Sequence, residues 1–335
     1  MEGKRYRRGI AAFLLTAYLL CRPVLADWSQ TRLVPAGETI GIHVDAMGLL
    51  VVGIAEVETA NGRSSPAWDA GIRVGDILLA VGSRKVNTIQ ELRESLAEDI
   101  GEVSIRLIRS GREMQLSVKP VFTPEGEGEL GLWLRSGISG LGTMTYYDPE
   151  NRHFGALGHG VSDADTGILI PLMTGKIGWA SVDRIERGER GKPGEAKGKL
   201  SIDPQVGTVE RNTEFGIFGV ITEEVITDSR NTMEICPLQQ LRCGPAQILS
   251  DISGIMTAYS VEISRIYPED GGGRDLLITI TDPALLELTG GIVQGMSGSP
   301  ILQNDRIAGA VTHVLVNDPT RGYGIGIERM LEAAA

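Results

Sequence analysis

The sequence predicts a mainly β chain, with a small α+β unit ahead of a larger β-barrel unit. Glycine is abundant, 44 of 335 residues. Short Val/Ile-rich runs such as Leu49 to Ile54, Leu276 to Ile280 and Ile307 to Val311 alternate with Gly, Asn and Asp turns, the rhythm of strands joined by tight connections. Only Thr88 to Glu98 places apolar residues (Ile89, Leu92, Leu96) at clear helical spacing. A chain of this length has room for two domains and a leader.

The formal charge of −11 argues against nucleic acid as a partner, since phosphate is bound by basic patches. Of the three cysteines, Cys21 lies in an apolar leader. Cys236 and Cys243 are close enough in sequence to pair in an oxidising compartment, and equally consistent with two free thiols. No Cys/His spacing matches a zinc site, and no metal or other cofactor is expected.

Residues 1–26 read as a signal peptide or membrane anchor. Lys4, Arg5, Arg7 and Arg8 precede an apolar run from Ile10 to Cys21, and Val24-Leu25-Ala26 resembles a small-residue cleavage site. Basic residues before the run place the bulk of the chain outside the cytoplasm.

A connector is expected at 27–46, broken by Pro35 and Gly37. The α+β unit follows at 47–121. It has a strand at Leu49 to Ile54, a helical turn at Ser65 to Gly71, and a strand at Asp76 to Val81. Its helix is capped by Thr88 with Glu91 three residues on. A hairpin then runs from Val103 to Val118 around Ser110-Gly111. Ala70-Gly71-Ile72-Arg73-Val74-Gly75-Asp76-Ile77-Leu78 resembles the AGLxxGDxI run of bacterial PDZ domains. That resemblance implies a peptide bound as an added strand. It places Gly48, Leu49 and Leu50 at the carboxylate loop and strand, facing Leu92 and Leu96.

After a linker at 122–133, residues 134–335 read as a β-barrel or double barrel. Strands are expected at Ile168 to Leu172, Phe215 to Ile221, Leu276 to Ile280, Ile307 to Val311 and Tyr323 to Ile327, with a possible helix at Pro245 to Leu249. The chemical signal is Gly295-Met296-Ser297-Gly298-Ser299-Pro300. A glycine-flanked turn can expose a serine hydroxyl and aim backbone N–H groups at a developing oxyanion. The run resembles the serine loop of chymotrypsin-like proteases, which makes Ser297 the nucleophile and the N–H groups of Gly295 and Ser297 the oxyanion hole. Met296 replaces that loop's aspartate, so activation by an ion pair to a new amino terminus is not available. Among four histidines, His159 in Gly158-His159-Gly160 is the candidate base. His153 lies in a polar turn, His313 reads as a core or supporting residue, and His43 precedes the first unit. For the third member the choice falls on Asp282, which closes an apolar strand. Asp163, Asp165, Asp183 and Asp203 compete with it.

The run Gly290 to Ile301, with the later Gly309 to Val314, Asn317-Asp318-Pro319 and Gly322-Tyr323-Gly324, resembles the SpoIVB peptidases. The resemblance implies a trypsin-like β-barrel catalytic domain behind a PDZ domain, with His159, Asp282 and Ser297 as the catalytic set. It also implies a signalling serine endopeptidase of endospore formation, exported from the forespore into the intermembrane space and membrane-tethered before release. Its partners would be its own chain, by self-cleavage, and a SpoIVFA-like membrane-anchored regulator whose cleavage lets an intramembrane metalloprotease process a late sigma factor. An HtrA-like quality-control protease and a non-catalytic PDZ scaffold are the alternatives.

Overall fold

The computed structural model describes residues 31–59, 62–97, 101–123, 126–222, 231–268 and 272–335; the leader at 1–26 lies outside them. Two long strands organise what is described. After the short β1 (Arg32–Pro35), β2 (Thr39–Ile54) runs sixteen residues. The PDZ unit follows: α1 (Pro66–Asp69), β3 (Ile77–Val81), α2 (Ile89–Ala97) and the hairpin β4 (Val103–Arg109) and β5 (Arg112–Val118). The capping box forms as expected. Glu91 N–H donates to Thr88 Oγ1 at 3.1 Å, and Thr88 N–H to Glu91 Oε2 at 3.0 Å. The amides of Asn87 and Thr88 hold the Glu91 carboxyl below its ordinary pKa.

The chain returns as β6 (Leu132–Tyr147), again sixteen residues. β7 (His153–Ala156), β8 (Leu172–Glu186), β9 (Gly194–Ser201), β10 (Gly207–Thr213) and β11 (Gly216–Ile221) complete the first half of the larger part. The pairings close a ring in the order β2, β6, β7, β11, β10, β8 and back to β2. The second half is β12 (Gly244–Ser250), β13 (Thr257–Ile266), β14 (Leu276–Ile280), α3 (Pro283–Thr289), β15 (Pro300–Gln303), β16 (Arg306–Leu315), β17 (Asp318–Gly326) and α4 (Ile327–Ala334). Its six strands form a closed barrel in the order β12, β13, β14, β17, β16, β15. Closure leaves no unpaired sheet edge inside either barrel.

Each part has its own apolar core. Leu49, Leu78, Leu92, Leu96 and Ile105 fill the PDZ unit, Ile42, Val44, Phe154 and Ile177 the first barrel, and Ile248, Ile278, Met296 and Val311 the second. No flexible link separates the first two. Thr39 to Ala46 of β2 lie in the first barrel, whereas Leu49 and Leu50 pair with Leu78 and Ile77 of the PDZ unit. β6 runs antiparallel to β2 along almost its whole length.

Several expectations are corrected here. The described part of the connector at 27–46 is β1 and the first half of β2, and the linker at 122–133 ends inside β6. Pro245 to Leu249 belongs to strand β12, paired to β13 and β15. Ile168 to Leu172 contributes only a bridge from Leu169 to Ser162 before β8 begins. Cys236 is buried, Cys243 is exposed, and both are free thiols. Among the described residues no helix is long and apolar enough to cross a membrane.

Candidate active site

The serine loop is fixed chiefly by backbone. Met296 N–H donates to the Val293 carbonyl at 3.1 Å, and Gly295 between them has φ +104°. A left-handed residue at the third turn position sets the direction of the preceding peptide, hence of the Gly295 N–H, and only glycine takes it without strain. Met296 is fully buried in the second barrel's core, so an apolar anchor stands where a charged one would demand a partner. Gly298 N–H donates to Val311 O at 2.8 Å, and Val311 N–H to Ser299 O at 2.9 Å. β6 of the other barrel clamps the loop. Thr143 Oγ1 donates to Gly295 O at 2.8 Å and Thr143 N–H to Ser297 O at 2.9 Å. A Cβ on Gly298, which has φ +98°, would lie 2.0 Å from Thr143 O.

His159 arrives from the first barrel. Beyond β7 the chain bends through Leu157 and Gly158, both at positive φ (71° and 68°). Leu157 N–H donates to Thr143 O at 3.2 Å. The imidazole Nδ1 lies 2.9 Å from the Gly160 carbonyl. A carbonyl can only accept, so Nδ1 carries the proton and Nε2 of the neutral ring keeps its lone pair. Burial of the ring pulls the pKa of His159 below its ordinary value, and the Gly160 carbonyl partly opposes this.

His159 and Ser297 face the same cleft of about 930 Å³, between the two barrels. Ser297 Oγ donates to the Thr312 carbonyl at 2.7 Å. Catalytic hydrogen bonds often tighten only once substrate is bound, so this contact leaves Ser297 a candidate nucleophile. The His313 ring centroid is 5.1 Å from that of His159. Although the His313 residue is exposed at the cleft, the crowding of its ring, helped by His159 and Arg274, lowers its pKa to about 4. Ile292, Val314 and Val316 are among the apolar residues that line the cleft.

Asp282 does not join this group. It is the N-cap of α3: Oδ1 accepts the N–H groups of Ala284 and Leu285 at 3.0 and 3.1 Å, and Oδ2 accepts that of Ser260 at 3.2 Å. The Asp-Pro pair that closes β14 is a helix start, with aspartate capping and proline at the first helical position. Among the described residues no carboxylate bonds to His159; the partner of its Nδ1 is the Gly160 carbonyl. Asp163, a rejected competitor, is buried on Arg135 instead of solvated.

The PDZ edge also lies elsewhere than expected. Leu49, Leu50, Leu92 and Leu96 are buried, and Leu50 pairs with Ile77 on one side and Arg135 on the other. Gly48 N–H is taken by Asn87 Oδ1 at 3.0 Å. The open edge is on β6, where Leu132 to Arg135 pair with β2 alone among the described strands. Leu130 is buried with Leu92 and Leu96 of α2. Gly131 (φ +73°) follows it where a Cβ would meet Ala55 O at 2.3 Å. Leu130-Gly131-Leu132 was the available sequence signal. Nothing in the sequence marked Thr143, Thr312 or the Gly160 carbonyl.

A family model described as SpoIVB peptidase S55 matches residues 126–331, which take in the second barrel and all of the first except β2, with His159 and Ser297. The chain belongs to the SpoIVB peptidase S55 family. A PDZ domain model matches residues 61–109, so this SpoIVB-family chain carries a PDZ domain, as its residues suggested. Putative zinc metalloprotease Atu1380 of Agrobacterium fabrum (strain C58) is 24% identical over 271 residues, 76% of this chain and 65% of that protein. Zinc metalloprotease RasP of Shouchella clausii is 36% identical over 95 residues, 27% of this chain and 23% of that one. The aligned part thus spans less than two thirds of either curated relative. Among solved structures, the active form of the Rv3671c protease from M. tuberculosis superposes with a TM-score of 0.34 at 15% identity, over 59% of this chain and 73% of that one. The PDZ domain of the SdrC-like protein from Listeria monocytogenes gives 0.22 at 19%, over 27% and 90%.

Proposed function

We propose that the chain is a signalling serine endopeptidase in which His159 and Ser297 carry the chemistry and a backbone carbonyl replaces the acid. The observation that carries this is the meeting of the two residues in one cleft, with His159 Nδ1 held by Gly160 O so that Nε2 is free to act as a base. His159 takes the Ser297 proton as Oγ attacks the scissile carbonyl carbon. The N–H groups of Gly295 and Ser297 receive the oxyanion. The peptide C–N bond then breaks, the proton on Nε2 passes to the leaving amine, and water hydrolyses the acyl-serine by the same route. The apolar wall of Ile292, Val314 and Val316 favours an apolar side chain on the residue whose carbonyl is attacked.

Family membership supports the finer reading: export from the forespore, self-cleavage, and cleavage of a SpoIVFA-like membrane-anchored regulator so that an intramembrane metalloprotease can act. A peptide terminus adds as a strand to the open β6 edge, supported by the PDZ match and by Leu132 to Arg135 pairing with β2 alone among the described strands. A fluorophosphonate probe tests the chemistry. Labelling should map to Ser297 and disappear in His159→Ala; labelling that survives that change defeats the proposal. Cleavage of one extracytoplasmic loop, with casein left intact, separates signalling from HtrA-like quality control.

A further inference from the structure

The wall of the cleft next to His159 is a loop, residues 160–170, and it contains a buried charge. The Asp163 side chain is fully shielded from solvent. It accepts the N–H groups of Asp165 and Thr166 at 3.1 and 2.8 Å and the Thr166 hydroxyl at 2.9 Å. Its cation is Arg135, which bonds Asp163 through one guanidinium nitrogen and Asp165 at 3.0 Å through another. The turn closes through Asp163's own backbone and side-chain contacts, so closing it does not call for a cation from another element. A buried carboxylate and its guanidinium carry a large desolvation cost that only a well-formed pair offsets.

The place of Arg135 shows what the pair can do. It sits on β6 at the end of the open PDZ edge, and the register slips just beyond it, between Arg135 and Gly137. The loop that it grips begins with the carbonyl that holds His159. Asn212 fixes Val161 through both its N–H and its carbonyl, at 2.8 and 2.9 Å. At its far end the loop meets the PDZ side, where Met47 N–H donates to Pro171 O at 2.7 Å and a Cβ on Gly75 would lie 3.0 Å from Ile168.

We propose that Arg135 is a positioning residue for the catalytic base: through Asp163 it fixes the loop whose first carbonyl, that of Gly160, orients His159. This rests on the reading of His159 as the base. The hold is anchored outside the catalytic cleft, on the strand that the PDZ unit shares with the first barrel.

The test uses the full chain as wild type, Arg135→Met, Arg135→Lys and the double variant Arg135→Met/Asp163→Asn. Arg135→Met leaves a buried charge that can unfold the loop; the double variant removes both charges. Hydrolysis of an apolar peptide ester gives kcat and KM, and 15N-histidine spectra give the Nδ1–H signal of His159, assigned with His159→Ala. The expected result is a kcat lower by about 10- to 100-fold in Arg135→Met and in the double variant, with KM within about twofold. The Nδ1–H signal is lost in both. Arg135→Lys recovers part of each, since an ammonium makes one contact where the guanidinium fork makes two. A folded double variant with wild-type kcat and an intact Nδ1–H signal overturns the inference. If Ser297→Ala and His159→Ala themselves keep hydrolysing, the proposed function fails instead.

Discussion

The serine loop and the histidine arm meet in one cleft but are held by different means. Residues 293–299 are pinned by backbone hydrogen bonds within the second barrel and by two bonds from Thr143 across the cleft. Glycines stand where a side chain would collide. The arm from Leu157 to Ile170 turns through a leucine at positive φ, and its working ring rests on one carbonyl. Its cleft wall carries an ion pair to another strand. The proposed nucleophile therefore sits on a loop fixed by backbone bonds, while the proposed base sits on an arm held by fewer of them. Preorganisation of the oxyanion donors is the costlier requirement, because a donor misplaced by a fraction of an ångström loses most of its value in the transition state.

That contrast breaks most severely at Gly298. A Cβ there would lie 2.0 Å from Thr143 O and 2.6 Å from Leu157 N, so it presses on both halves of the site. Gly298→Ala should lower kcat/KM by about 100-fold or more and cost about 1–3 kcal/mol of stability for the unfavourable φ alone. Steady-state kinetics beside a denaturant melt checks both numbers. Thr143→Val is the milder version. It removes the hydroxyl bonded to Gly295 O but keeps the backbone bond to Ser297. An expected cost of about 1–3 kcal/mol follows from leaving that buried acceptor unpaired, with kcat lowered about tenfold and KM little changed.

Legibility in the sequence follows the same division. Gly295 to Pro300 could be read because its chemistry is local: adjacent glycines, one serine, a turn. The capping box at Thr88 and Glu91 was local as well. The clamp from Thr143 was not, since 152 residues separate it from Gly295 and a buried threonine on a strand carries no mark of its partner. The closed ring of the first barrel was likewise hidden, because β2 and β6 each serve two units and no composition shift marks the crossing. The PDZ edge was misplaced for that reason: the open strand begins at Leu132, inside the expected linker. The capping role of Asp282 was legible, since Asp-Pro before Ala-Leu-Leu-Glu is a helix start.

The pH profile sharpens the comparison on the histidine side. In the proposed mechanism neutral His159 is the active form, and burial depresses its pKa. The acid limb of kcat/KM should therefore lie below the ordinary imidazole range, with activity kept into mildly acidic solution and lost as pH falls through the depressed value. His313, at about 4, stays neutral across that range and adds no second limb there. His313→Ala uncovers one face of the His159 ring, so the limb should move up toward the ordinary value. A limb that stays in place would show that other neighbours supply the burial.

The smallest expected effect decides whether a carboxylate belongs in the catalytic set. Asp282 spends both carboxylate oxygens on backbone N–H groups at the start of α3. Asparagine caps a helix about as well as aspartate, so Asp282→Asn should keep hydrolysis within about twofold and leave stability nearly unchanged. Asp282→Ala should cost about 0.5–2 kcal/mol through the lost cap, lowering activity only in proportion to the folded fraction. An orienting acid behaves otherwise: its amide would favour the wrong imidazole tautomer and cost on the order of 10⁴ in kcat while the protein stays folded. Stability and rate measured on both variants separate the two roles, because a cap moves the melting curve and an orienting acid moves kcat.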